Sequence, residues 1–348
     1  MIQSKGYAAQ NASSPLASWS FERRDVGDDD IAMDILYSGI CHSDIHQARN
    51  EWGGAKYPMV PGHEIVGRVT SVGKNVTAFK PGDLAGVGCI VDSCRQCASC
   101  ANDEEQFCEK GMIGTYNSIG KDGLPTYGGY SNNLVVDAKY ALHIPENLDL
   151  KAVAPLLCAG ITTYSPLMAW GVKAGQKVAV VGLGGLGHMA VKFAVALGAE
   201  VSVISHSDKK IDDAKRLGAT EYINSSTEGS LKPHRGKFDF ILNTVSAPNS
   251  YDNFMQLLKT GGAMVLVGAP PQPSQIAGFS LINGRKKLAG SLIGGIRETQ
   301  EMLDFCGKHN ITSDVEMITM DQVNEAYDRM MKGDVRFRFV IDVEASKL

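Results

Sequence analysis

Lys177–Gly198 reads KVAVVGLGGLGHMAVKFAVALG. A β-branched apolar run, KVAVV, ends on Gly182-Leu183-Gly184-Gly185-Leu186-Gly187, and a run of helical character, HMAVKFAVALG, follows at once. A G-x-G-x-x-G hexapeptide carries little weight alone, but between a strand and a helix it is informative. The glycines permit a tight turn and let backbone approach a pyrophosphate whose charge rests on the positive helix end. The competing interpretation is a glycine-rich turn between two core elements.

The pattern around this stretch extends it into a fold. EVSVIS precedes DKKIDDAKRLG, FDFILNTV precedes NFMQLLKTGG, and AMVLVGA follows. Repeated βα units of this kind build a doubly wound parallel sheet, here over residues 152–290. Upstream, residues 1–151 alternate Gly-Asp, Pro-Gly and Gly-Gly turns with short runs such as EIVGRVTSVG and SNNLVVD, the texture of a mainly β domain. Residues 291–348 hold two helix-like stretches, ETQEMLDFCGKHN and DQVNEAYDRMMKG, and a strand-like RFRFVIDV. The class is α/β.

Bulk properties exclude several function classes. A chain of 348 residues, 44% hydrophobic and 21% charged, buries a core without disulfides. Its formal charge of -4 gives no basic footprint for nucleic acid or a membrane surface, so neither is expected as a partner. The apolar tract around the glycine hexapeptide is broken by His188, Lys192 and glycines and reads as strand, turn and helix rather than a membrane span. The first twenty residues lack the pattern of an export signal. The cysteines are therefore expected in a reducing cytoplasm, as metal ligands or free thiols.

The dinucleotide is chosen about twenty residues beyond the hexapeptide, where NAD sites carry an acid for the ribose 2′-hydroxyl. Here the strand ends in Ser205-His206-Ser207-Asp208-Lys209-Lys210. Ser205 does not repel a phosphate, and Ser207, Lys209 and Lys210 are able to hold one, which favours NADP(H). Two objections remain open: Ser207 caps the helix and the lysines face solvent, or Asp208 reaches back to the ribose in the NAD manner.

Five of the eight cysteines lie between Cys89 and Lys110. Cys94, Cys97, Cys100 and Cys108, spaced C-x2-C-x2-C-x7-C, suit a closed all-thiolate zinc site that staples a loop lacking its own core. An iron–sulfur cluster and redox-active thiols are the rivals. Cys89, outside the spacing, reads as a buried small hydrophobe. Dispersed along the chain stand GICHSDIH with Cys41, His42, Ser43, Asp44 and His46, PGHEIVGRVTSVG with His63 and Glu64, and APLLCAGITTY with Cys158. One His and two Cys can converge on a zinc that keeps an open position for substrate. Each residue alone is unremarkable.

Gly62-His63-Glu64-x-x-Gly67-x5-Gly73-x-x-Val76 resembles the signature of the zinc-dependent alcohol dehydrogenases of the medium-chain dehydrogenase/reductase superfamily. The four-cysteine lobe, Cys158 and the glycine hexapeptide follow in that family's order, so the resemblance covers essentially the whole chain. GICHSDIH, YPMVPGHE, PLLCAGITTYSPL and GSLIGGIRETQEML are similar to the cinnamyl alcohol dehydrogenase group, with its bacterial broad-range aldehyde reductases. The resemblance implies a GroES-like catalytic domain over 1–151, a Rossmann-type domain over 152–290 and a return to the catalytic domain over 291–348. It implies Cys41, His63 and Cys158 on a catalytic zinc, with Glu64 as the carboxylate able to replace the fourth ligand. Asp44 would orient His63, Ser43 would hydrogen-bond the substrate oxygen, and His46 would pass the proton outward. Trp52, Thr162 and Ile293 would wall the pocket, the stretch 293–296 lying over the nicotinamide, though such positions serve equally as core. Also implied are two zinc ions per chain, a homodimer and broad aldehyde reduction. The alternatives are an NAD-dependent polyol or secondary-alcohol dehydrogenase, or a non-catalytic NADPH-binding redox sensor.

Overall fold

The computed structural model describes residues 1–270 and 272–348. Two compact units emerge: Met1–Cys158 with Gly294–Leu348, and Ala159–Ile293. The texture of the sequence changes slightly before each division. At the first, the helical stretch Leu150–Val153 and Ala154–Leu157 is held by the β unit. Ser313 N donates to Ala152 O at 3.1 Å. Leu157 lies so close over Gly86 that a β-carbon there would stand 3.2 Å from it.

In the second unit the apolar runs form a six-stranded, wholly parallel sheet. Its order is Glu221–Asn224, Glu200–Ser205, Lys177–Val181, Phe238–Asn243, Leu258–Leu266, Lys287–Gly290. This is the doubly wound 3-2-1-4-5-6 arrangement of dinucleotide-binding sheets. Val181, Ile204, Phe238, Ile241, Met255, Leu258 and Met264 belong to one buried core cluster of this unit. NFMQLLKTGG is not the helix its pattern suggests. The helix here is the short Tyr251–Met255, and the next strand already starts at Leu258. Parallel pairing of Leu258 with Phe238, and Lys259 Nζ on Asp239 at 2.9 Å, outweigh the local helical pattern.

The hexapeptide joins Lys177–Val181 to the helix Gly185–Ala196, with Gly184 at its N-cap. Gly182 has φ +91°, a conformation that L side chains avoid. A β-carbon on Gly187 would stand 2.0 Å from Gly182 O, so the helix sits on the turn as closely as backbone allows.

The first unit carries a seven-stranded sheet ordered Val315–Ile318, Arg338–Asp342, Asp30–Gly39, Ile65–Val72, Leu84–Val87, Leu142–His143, with Asn133–Asp137 also paired to Asp30–Gly39. Helices Ile296–His309 and Val323–Met331 match the two amphipathic C-terminal stretches. The four-residue strand Val315–Ile318 is too short for a period to register in the sequence. Arg338–Asp342 pairs antiparallel with Asp30–Gly39, which brings the chain's end beside the first site-bearing strand. Among the described residues, no single helix is long and apolar enough to cross a membrane.

Gly187→Ala is expected to cost about 1–3 kcal/mol by overpacking backbone against backbone. Its thermal midpoint should fall, and a variant as stable as the parent would contradict the close approach.

Candidate metal and hydride-transfer site

Cys41 stands with extended backbone as the N-cap of the helix His42–Ala48, and Asp44 in that first turn accepts from Cys41 N at 2.9 Å. The cap thus points the thiol and the carboxylate into the same interior. His63 and Glu64 come from the turn that enters the strand Ile65–Val72. Cys158 closes the short helical run Ala154–Leu157. The donor atoms of Cys41, His63, Glu64 and Cys158 all lie within 4.8 Å of one another. Cys41 Sγ and Cys158 Sγ are 3.9 Å apart. Two thiolates ~2.3 Å from one tetrahedral zinc would stand roughly 3.8 Å apart, whereas a disulfide needs ~2.05 Å, so the spacing fits a shared metal ion.

The surroundings fix this donor set. Asp44, wholly buried, accepts on one oxygen from His63 Nδ1 at 2.9 Å and Gly62 N at 3.2 Å. Its other oxygen takes Cys41 N and the Tyr130 hydroxyl, the latter at 3.1 Å. With Nδ1 bound to Asp44, the ring's Nε2 is the atom left to face a metal. Tyr116 stacks on His63, ring centres 5.8 Å apart. Glu64 is paired with Arg338, which also donates to Ile40 O at 2.7 Å. One Glu64 oxygen is buried without a partner. Burial pushes the Glu64 carboxyl up to about 8, against the pull of Arg338. A β-carbon on Gly39 would meet that carboxylate at 1.9 Å, so glycine there makes its room. The Cys41 thiol is held well below its ordinary value, first by its contact with Cys158 and then, against burial, by the His63 ring.

Ser43 Oγ lies 3.6 Å from Cys41 Sγ, at the edge of the cluster. His46 sits one helical turn further out, and its Nδ1 is 2.5 Å from Glu51 Oε2. Trp52, 56% exposed, has its ring 5.0 Å from His46. His42 is exposed, with its ring 6.3 Å from that of His46. Thr162 is buried in the helix Ala159–Ala169, and Ile293 is buried with φ +37° at the end of the second unit.

Cys89 departs from expectation. It is only half-buried, and contact with Cys158 lowers its thiol pKa, so it sits beside the cluster rather than in the hydrocarbon core. The residue alternation around it hides this, because Cys158 is distant in sequence. Glu51, Tyr116, Tyr130 and Arg338 likewise escaped sequence reasoning. Only Arg338, a cation inside the apolar RFRFVIDV, offered a signal: a buried charge needs a partner.

In the lobe, Cys94, Cys97, Cys100 and Cys108 form a second donor set within 4.8 Å, and Cys94 Sγ and Cys100 Sγ are 3.8 Å apart. Backbone N–H groups point at the sulfurs: Cys94 N at Cys108 and Cys97 N at Cys94, both 3.3 Å, and Glu109 N at Cys97, 3.5 Å. Those of Gln96 and Cys97 hold the Cys94 thiol at about 6. Such donors favour thiolate, the form that binds metal. Arg95 bridges Asp92 at 2.9 Å and Asp137 at 2.7 Å, tying the lobe to the strand Asn133–Asp137.

In the second unit, Gly182, Gly184, Gly185, Leu186 and Gly187 line the strand-to-helix turn, and Ser205 ends the neighbouring strand, buried. Lys210 Nζ reaches back to Leu183 O at 2.7 Å, which joins the candidate phosphate segment to the glycine turn. Ser207 starts the following turn without a side-chain capping bond. Asp208 accepts from Asn224 Nδ2 at 3.0 Å, and Lys209 is exposed.

The model of the alcohol dehydrogenase GroES-like domain matches residues 27–146, and that of the zinc-binding dehydrogenase matches 185–308. NADP-dependent alcohol dehydrogenase C 1 of Mycolicibacterium smegmatis is 55% identical over 337 residues, 97% of each chain. Aldehyde reductase YahK of Escherichia coli is 54% identical over 341 residues, again 97% of each. The solved structure of a cinnamyl alcohol dehydrogenase from Sorghum bicolor superposes with TM-score 0.96 and 47% identity, covering 99% of this chain and 98% of that one.

Two metal ions per chain are expected, held by the two donor sets. Cys41→Ser should lose one while keeping the lobe's, and Cys97→Ser should lose the other together with much of the protein's stability. Metal stoichiometry by plasma emission checks both, and an unchanged count in either variant would remove that residue from its site.

Proposed function

The chain belongs to the zinc-dependent alcohol dehydrogenases of the medium-chain dehydrogenase/reductase superfamily, and from that premise we propose that it reduces aldehydes, aromatic cinnamyl-type ones among them, with NADPH and oxidises primary alcohols in reverse. The observation that carries the proposal is the convergence of Cys41, His63, Glu64 and Cys158 within 4.8 Å, with Ser43 at its edge.

Cys41, His63 and Cys158 would hold the catalytic zinc, with Glu64 as the carboxylate able to exchange with a fourth ligand; Cys94, Cys97, Cys100 and Cys108 would hold the structural one. When bound, zinc supplies Lewis acidity that polarises a carbonyl oxygen, and the reduced nicotinamide supplies the hydride. Asp44 keeps the His63 ring in one tautomer and orientation. Ser43, at the edge of the donor set, would hydrogen-bond the substrate oxygen and pass it a proton. His46, held by Glu51 at Nδ1, would relay from solvent the proton that restores the Ser43 hydroxyl. Trp52, beside His46, is the aromatic wall offered to a substrate ring.

Gly182, Gly184, Gly185, Leu186 and Gly187 would take the pyrophosphate at the helix end. Ser205, Ser207, Lys209 and Lys210 would take the 2′-phosphate. The bond of Asp208 to Asn224 supports this assignment, because it occupies the one acid near the ribose position. The names of relatives, an NADP-dependent alcohol dehydrogenase and an aldehyde reductase, agree with it. We place the protein in the cytoplasm as a homodimer. The eight cysteines are free of disulfides. The sheet of the second unit ends in the edge strand Lys287–Gly290, which follows closely in sequence on Phe279 and Ile282, 70% and 68% exposed, features suited to a second copy.

Steady-state kcat/KM for cinnamaldehyde is expected to favour NADPH over NADH, and Ser205→Asp to reverse that order; a preference for NADH in the parent would return the ribose contact to Asp208. Ser43→Ala should lower kcat roughly 10²- to 10⁴-fold with both metals retained. Parent-like turnover in that variant would take Ser43 out of proton transfer.

A further inference from the structure

Tyr130 belongs to the stretch Thr126-Tyr127-Gly128-Gly129-Tyr130-Ser131, whose paired glycines let it lie directly on the segment that carries His63. A β-carbon on Gly128 would meet Gly62 O at 2.3 Å, and one on Gly129 would meet Ile65 Cγ1 at 2.5 Å. In that close packing Gly128 N donates to Val60 O at 2.8 Å, Gly129 N to Gly62 O at 2.9 Å, and Tyr130 N to Pro61 O at 3.0 Å. The Tyr130 ring is wholly buried and presses on Gly62, where a β-carbon would come within 2.7 Å of its Cδ1. Backbone and ring together leave the hydroxyl one direction, and Asp44 lies in it.

We propose that Tyr130 is a positioning residue for the catalytic metal site: its hydroxyl donates to Asp44 and thereby locks the carboxylate that orients the His63 ring. The proposal rests on the assignment of Cys41, His63 and Cys158 as metal ligands. Asp44 carries two donors on each oxygen: His63 Nδ1 and Gly62 N on one, Cys41 N and Tyr130 Oη on the other. A carboxylate so loaded cannot rotate about its bond to the chain without breaking several hydrogen bonds at once. Tyr130 and His63 are the side chains among these four donors, and the other two are backbone. Removing its hydroxyl takes a donor from a carboxylate oxygen that is wholly shut off from water. The carboxylate then tilts, and the His63 ring tilts with it. Burial and the nearby Asp44 charge raise the phenol's pKa well above its ordinary value, so it keeps its proton as a donor. Behind it, Tyr327 of the C-terminal helix Val323–Met331 donates to Tyr130 Oη at 3.5 Å, a longer and weaker contact that does not touch Asp44.

The test is Tyr130→Phe, which keeps the packed ring and removes only the hydroxyl. Metal content, competition against a chromogenic chelator and the absorption spectrum of the cobalt-substituted protein are measured beside parent, Cys41→Ser and Tyr327→Phe. Expected is a roughly ten- to hundredfold weaker hold on one metal ion per chain, the range for groups that orient metal ligands, with altered cobalt bands and the lobe's ion retained. Tyr327→Phe should stay near the parent. Parent-like affinity and spectrum in Tyr130→Phe would overturn the proposal while leaving the ligand assignment standing. An equal loss in Tyr327→Phe would also overturn it, because any missing buried hydroxyl would then suffice. A parent that holds only the ion Cys41→Ser also holds would overturn the ligand assignment itself, and the role of Tyr130 with it.

Discussion

Two thiols, two carboxylates and an imidazole share the interior of the first unit, and their charge has to be balanced there. Burial without compensation would cost several kcal/mol per ion. Asp44 is compensated by four donors and Glu64 by Arg338 on one oxygen, and the sulfurs of Cys41 and Cys158 face each other at 3.9 Å, a spacing that suits a shared metal ion. A divalent metal ion held by these donors would balance the thiolates. The lobe repeats the same electrostatic problem with four sulfurs and solves part of it with backbone N–H groups.

Much of the local architecture serves this constraint. Gly39 leaves room for the Glu64 carboxylate, and Gly62, Gly128 and Gly129 let two chain segments close on Asp44. The last strand, Arg338–Asp342, pairs with Asp30–Gly39 and so delivers the Arg338 cation to Glu64 from the far end of the chain. Removing a partner from such a set leaves a buried charge uncompensated, which costs far more than the pair itself contributes. The site is thus as much a folding constraint on the first unit as a place for chemistry.

The second unit meets a milder constraint. Its glycine turn brings backbone within contact of backbone, and the adjoining strand ends in the buried Ser205. Lys210 bound to Leu183 O joins two loops separated in sequence.

The sequence by itself determined the fold class, because strand and helix periods and the placement of Gly182, Gly184 and Gly187 are local properties. It also nominated both cysteine-containing donor sets, the lobe through dense spacing and the other through dispersed motifs. Local pattern failed where long-range pairing overrode it, as at Leu258–Leu266, drawn into the parallel sheet against a helical reading. It failed again at Cys89, whose neighbour Cys158 is remote in the chain. Only the tertiary structure decided that Tyr130 and Arg338 close around Asp44 and Glu64, since a hydrogen bond between residues 86 or 274 positions apart leaves no periodic trace in either segment. Spacing records which residues a helix or strand places side by side; the partners of a buried charge are chosen by the packing of the whole unit.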